Sequence, residues 1–327
     1  MKRLLLLLIA AVGWQASVAS ARDLRSSDVE AADYPTVKAV AYMDQLLRQR
    51  SNSRLKIGSL GHGDQDSESF TIAQLRTGDL DMARLNVAAL HSLVPTTVVP
   101  ALPFLVPSRT AMRRVLDGPV GAEILASFND HGLVALCFYD PGARSIYTRD
   151  RPIRSVKDLA GLRVRVQQSS AMAQVMKALG AQPIPMPYNQ VNAALAAGTI
   201  DAAENNLASY VTSRHHLVAK VYSLTEHTRP PAVLVFSKPV WDRLPPADQD
   251  LIRQAARDSV PYFRSLWEEF EAGVRQTLEA SGGQVVEDVD RAGFAQALAP
   301  LHARLVRETR DRALLERIKA AEQAESR

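Results

Sequence analysis

Apolar residues at Val37, Val40, Ala41, Leu46 and Leu47 share one face of a 3.6-residue turn and predict a helix over 35–50. Pro35 suits its first turn, where the missing N–H has no partner to lose. Ala21–Ser26 before it and Leu55–Leu60 after it read as short strands. A helix over Ser67–Thr77 stops at Gly78, and a strand follows over Leu80–Leu85. The same succession returns later: strand Leu162–Val166, helix Ser170–Leu179 ending at Gly180, strand Gln182–Met186, helix Asn189–Ala197 ending at Gly198, and strand Ile200–Glu204. Each half is β-α-β-α-β, which predicts parallel strands joined by right-handed crossovers. Gly78, Asp81, Ala83 and Asn86 recur as Gly198, Asp201, Ala203 and Asn206 at one constant offset, so the halves read as a repeated unit.

Between the halves lie a proline-rich apolar stretch, a helix around Ser108–Asn129 and a strand at Gly132–Tyr139. The turn signal Asp140-Pro141-Gly142 follows, then a strand at Ala143–Arg149 placed to cross from one half to the other. After the second half, Val233–Ser237 is an apolar strand bounded by prolines. A long helical pattern runs from Pro246 to Ser281, and another from Arg291 to Ala324. The expected fold class is α/β, with two lobes, a ligand cleft between them and a long C-terminal spine helix. Lobe one takes residues 22–142 plus about 231–270, and lobe two takes 143–230 plus about 271–327. Two lobes joined by strands suit hinge closure on a ligand.

The N-terminus carries Lys2 and Arg3, then an apolar run from Leu4 to Val12, then small residues at Ala19 and Ala21. This is the layout of a secretory signal peptide over residues 1–21. The run falls far short of the roughly 20 residues that span a bilayer. The mature chain is therefore expected to be exported to the periplasm, without stable insertion in the membrane.

Composition narrows the function classes. The 327 residues are 46% hydrophobic and 23% charged, a globular balance with length for two domains. Formal charge is +4, and without Lys2 and Arg3 the 39 basic residues become 37 against 35 acidic ones, a net of +2. That excludes the clustered basic excess of a nucleic-acid binder. The one cysteine, Cys137, sits in an apolar run and reads as an inert buried thiol.

Ligands of open α/β sheets bind beyond the carboxyl ends of parallel strands. Those ends offer Arg84 and Asn86 in lobe one. Lobe two offers Arg165, Gln167, Tyr188, Asn205, Asn206 and Tyr210, and the crossing strand offers Arg144. Guanidinium, carboxamide and phenol groups bind carboxylates and hydroxyls and are poor at covalent chemistry. Arg163 and Arg165 share a strand face, and Arg163 reads as solvated. No serine-nucleophile, zinc-protease, P-loop or paired-cysteine motif is present. The acidic stretch Gly61–Asp66 lacks the glycine and glutamate of a calcium loop, and His215, His216 and His227 read as structural, so neither metal nor cofactor is expected.

Several stretches in order carry a resemblance: Gly78–Ala83, Pro100–Leu105, Gly142–Arg144, Lys157–Val166, Gly180–Tyr188 and Gly198–Asn205. Together they resemble the DctP-type periplasmic solute-binding proteins of TRAP transporters over nearly the whole mature chain. The resemblance implies that Arg165 pairs with a ligand carboxylate, that Arg144 assists, and that Asn205 and Tyr188 complete the site. It also implies no catalysis and delivery of an organic acid to the membrane permease subunits by what is expected to be a monomer. The stretches 80–86, 165–169, 203–206 and 222–227 are similar to the branch that binds hexuronates such as glucuronate and galacturonate. A four-carbon dicarboxylate, with Arg84 as second anchor, is the alternative within the family. An exported α/β enzyme is the alternative outside it.

Overall fold

The computed structural model describes residues 22–59 and 67–325. The signal peptide read in residues 1–21 and the Gly61–Asp66 stretch lie outside the described residues. The strands are β1 (Arg22–Ser27), β2 (Leu55–Ser59), β3 (Met82–Asn86), β4 (Leu133–Tyr139), β5 (Arg144–Thr148), β6 (Arg163–Val166), β7 (Gln182–Pro185), β8 (Ala202–Asn205), β9 (Val221–Thr228), β10 (Ala232–Ser237) and β11 (Gln284–Val286). They form two sheets, ordered β2-β1-β3-β10-β4 and β11-β9-β5-β8-β6-β7.

The repeat is physical. β1 runs parallel to β2 and β3, and β6 runs parallel to β7 and β8. In each sheet a strand from outside the parallel trio then pairs antiparallel with it, β10 on β3 and β5 on β8. Gly78 and Gly198 end their helices with φ of 86° and 70°, a left-handed conformation that glycine adopts without strain. Asp81 accepts the backbone N–H of Arg25 at 2.8 Å, and Asp201 accepts that of Arg163 at 2.8 Å. Asn86 and Asn206 each cap the short helix that follows. The repeated Gly, Asp and Asn are thus the residues that end a helix, tie two strands and start the next helix.

The chain first crosses between the lobes after β4 and returns after β9, and it crosses again through the helix Pro246–Ala280 and before the last helix. β5 lies wholly in the second sheet, so the crossing expected of residues 143–149 is made by Asp140–Ala143 instead. The helix Pro246–Ala280 packs on β4 and on the helix Pro35–Arg50. Its Ser259 hydroxyl lies 2.7 Å from that of Tyr139 at the end of β4, and its buried Trp267 meets the Tyr34 ring edge-on at 5.7 Å. Further along, its buried Leu278 precedes β11 of the second sheet.

The helix expected over 108–129 is broken. Arg109–Asp117 and Pro119–Ser127 are separate helices, because Gly118 is extended and Pro119 starts afresh. They turn so tightly that a Cβ on Gly121 would stand 2.0 Å from the Leu116 carbonyl oxygen. Gly121→Ala is expected to lower unfolding free energy by about 1–3 kcal/mol, measured by urea denaturation.

The pattern read as one helix over 291–324 is three: Arg291–Leu298, Leu301–Leu305 and Thr309–Glu325. Phe294 and Leu298 pack with Val164, Val166 and Met172 of the second lobe. Leu314, Leu315 and Ile318 pack with Met112, Val115 and Ile124 of the first. The last helix, expected with lobe two, therefore returns to lobe one. β9 went unread because its inward face is polar: Ser223, Thr225 and His227 are buried. Ser223 accepts the Ile153 N–H at 2.9 Å, and the Thr225 hydroxyl lies 2.9 Å from His227 Nδ1, while His227 Nε2 is buried without a hydrogen bond, 3.7 Å from Glu204. Cys137 is buried, and burial pushes its thiol up to about 12. No described helix is long and apolar enough to cross a membrane.

Candidate functional site

The carboxyl ends of β1, β3, β6 and β8 meet between the sheets around a narrow polar cleft. Eight of the nine candidate side chains line it: Arg84, Asn86, Arg144, Arg165, Gln167, Tyr188, Asn205 and Asn206. Tyr210 does not. Its hydroxyl donates to the Ala219 carbonyl, and its ring packs 4.6 Å from Tyr147 and 4.9 Å from Tyr222, so it belongs to the second lobe's core.

The three arginines differ in what they have left to offer. Arg84 donates through Nε and Nη2 to both oxygens of Asp28, and Glu30 Oε1 lies 3.9 Å away. Arg144 donates to Glu204 through Nε at 2.5 Å and Nη2 at 2.9 Å, to the Glu204 carbonyl at 2.7 Å, and to Asn205 Oδ1 at 2.6 Å. A guanidinium has five N–H groups, so Arg144 is nearly spent. Glu204 is fully buried, and the charge and hydrogen bonds of Arg144, with His227 at 3.7 Å, hold its carboxyl down at about 2 against desolvation. Arg165 is only 3% exposed and makes two hydrogen bonds, Nε at 3.0 Å and Nη2 at 2.7 Å, both to the Met186 carbonyl. Among the described residues no carboxylate pairs with it. Burial pulls its pKa down, and the Tyr188 ring lies 5.8 Å from its guanidinium carbon.

The carboxamides turn out to be donors. Asn86 Oδ1 accepts the Ala88 N–H, Asn206 Oδ1 accepts the Ser209 N–H, and Asn205 Oδ1 accepts from Arg144 and from the Asn206 N–H. Each therefore has its NH₂ left for a ligand. Gln167 is the exception: its Oε1 is buried and has no partner.

Sequence reasoning missed Glu30, Tyr34, Thr36, Glu68 and Ser209, which complete the wall. The loop after β1 was the available signal for the first three, since β1 is itself a central parallel strand. Burial raises Glu30 to about 7, with Asp28 adding to the rise while Arg84 and Ser209 oppose it. Withdrawal from water also raises Glu68, against the Asn86 N–H that it accepts at 2.8 Å and the nearby charges of Arg84 and Arg165. Contacts cross the cleft. Ser209 of the second lobe donates to Glu30 at 2.8 Å and lies 2.9 Å from the Tyr34 hydroxyl, and His91 Nδ1 lies 2.9 Å from Ser169 Oγ. Among the described residues no group of His, Cys, Asp and Glu is placed to hold a metal ion.

The lining is a set of guanidinium, carboxamide, hydroxyl and carboxylate groups, the chemistry that suits an anion carrying hydroxyls. The profile of the family described as bacterial extracellular solute-binding protein, family 7, matches residues 26–309. A TRAP periplasmic solute-binding protein from Bradyrhizobium sp. BTAi1, solved in complex with α/β-D-galacturonate, is 47% identical with a TM-score of 0.90, over 91% of this chain and 100% of that one. One from Pseudomonas putida F1 with bound D-glucuronate is 34% identical with a TM-score of 0.87, over 91% and 97%. A solute-binding protein of Chromohalobacter salexigens is 32% identical over 292 residues, 89% of this chain and 87% of its own.

Proposed function

This chain belongs to the DctP family of bacterial extracellular solute-binding proteins, and on that premise we propose that it captures a hexuronate such as galacturonate or glucuronate for a TRAP membrane permease. Its role is solute binding. The observation that carries the ligand reading is Arg165: a buried guanidinium in a polar cavity, with no anion of its own among the described residues. A ligand carboxylate supplies that anion, and the free NH₂ groups of Asn86, Asn205 and Asn206 with Gln167 Oε1 suit a ring of hydroxyls. Two similar structures with bound galacturonate and glucuronate support the class.

A four-carbon dicarboxylate fits less well. Arg84, its second anchor on the sequence reading, is already charge-paired with Asp28 through Nε and Nη2. An enzymatic role finds no support in the site. With residues 1–21 read as a signal peptide, we propose a periplasmic protein that works as a monomer without metal or cofactor.

Titration calorimetry of purified protein with D-galacturonate, D-glucuronate and succinate tests this. One-to-one binding of a hexuronate, at least about tenfold tighter than succinate and with no product after long incubation, is the expected result. Tighter binding of succinate would overturn the ligand class.

A further inference from the structure

We propose that Glu30 and Glu68 of the first lobe set the cleft's specificity: they accept hydroxyl protons from the ligand and turn away a second carboxylate. The site then takes polyhydroxylated acids carrying one carboxylate and rejects sugar diacids. This rests on the reading that the ligand's carboxylate meets Arg165.

The donor and acceptor inventory leads there. Asn86, Asn205 and Asn206 have their oxygens engaged, and the arginines only donate. Hydroxyl groups of a bound sugar acid also need acceptors. Glu30 uses one oxygen for Ser209, and Glu68 uses one for the Asn86 N–H. The second oxygen of each has no hydrogen bond among the described residues, and both side chains line the cavity. Gln167 Oε1 is the third unspent acceptor.

Charge points the same way. Asp28 neutralises Arg84, and Glu204 neutralises Arg144. Among the described residues lining the cavity that leaves one unpaired cation, Arg165, which a single carboxylate cancels. A second carboxylate would enter beside Glu30 and Glu68, where the nearby Arg84 is already paired with Asp28. Such rejection by like charge is how an interface selects between otherwise similar partners.

The test compares D-galacturonate with galactarate by calorimetry at pH 8 in wild type, Glu30→Gln and Glu68→Gln. Glutamine keeps the shape and removes the charge, and because burial favours a neutral group at Glu30, that variant is expected to melt no lower than wild type. Wild type is expected to bind galactarate at least about 100-fold more weakly than galacturonate. In each variant that ratio should close by about tenfold or more, with galactarate binding tighter and galacturonate weaker. Because the ratio is compared between proteins, the difference between ring and open chain cancels. A ratio unchanged within about threefold in both variants overturns the proposal while leaving the hexuronate reading standing. Wild type that binds no galacturonate sinks that reading and this inference with it.

Discussion

Arg165→Ala is expected to weaken hexuronate binding by about 30-fold to several thousand-fold. Two guanidinium hydrogen bonds are committed to the Met186 carbonyl, so three of the five N–H groups stay free for the ligand. Neither other arginine can take over, since Arg84 is gripped by Asp28 and Arg144 by Glu204 and Asn205. Truncating one partner of a buried charge pair costs about 2–5 kcal/mol, and each 1.4 kcal/mol is about tenfold in affinity. Arg165→Lys should recover only part, because a point charge replaces a two-pronged donor. Arg163→Ala is the internal control. Arg163 lies on the same strand, but its side chain is 41% exposed and pairs with Asp201 at 2.6 Å, so affinity should barely change. Calorimetry on the three variants decides. Arg165→Ala binding within a few-fold of wild type would place the carboxylate elsewhere.

The second large effect is on stability. Glu204→Gln leaves the buried Arg144 without its counter-ion, and breaking such a pair costs about 3–5 kcal/mol. Urea denaturation near neutral pH should show it. The pH dependence follows from direction. Glu204 falls from an ordinary 4.5 to about 2 in the folded chain, so its contribution is present above about 4.5 and is lost as pH drops towards 2. Glu30 runs the other way. It rises from 4.5 to about 7, so the folded state holds its proton more tightly and stability declines as pH climbs between those values. Glu30→Gln should flatten that decline, and Glu204→Gln should flatten the loss in acid. A Glu204→Gln protein as stable as wild type would mean that Arg144 finds enough compensation in the main-chain carbonyl of residue 204 and in Asn205 Oδ1, which it already reaches.

Legibility followed the range of the forces. The helix over 35–50 and its Pro35 start agree with the structure residue for residue, and the spine helix expected to Ser281 ends at Ala280. Stops at Gly78, Gly180 and Gly198 are all left-handed glycines. These are local matters of periodicity and backbone freedom. Eight cavity residues were equally readable, because the carboxyl end of a parallel strand is where the fold must leave polar groups facing a cleft.

What failed to read was non-local. An apolar stripe on Thr309–Glu325 says that something must cover it, and only the packed molecule shows that lobe one does so through Met112, Val115 and Ile124. Tyr210 lies on the short helix Leu207–Thr212 that follows β8, and its ring packs against Tyr147 and Tyr222 instead of facing the cleft. Glu30 and Glu68 look like any solvated acids in the chain, and become cavity walls only when the first lobe closes over the second and strips their water. By itself, then, the sequence determined the elements of the repeated unit, their order, the family and the arginine that faces the cleft. Tertiary structure decided which lobe covers each apolar face and which polar groups are spent on one another. Those choices depend on partners distant along the chain, whose proximity no local pattern encodes.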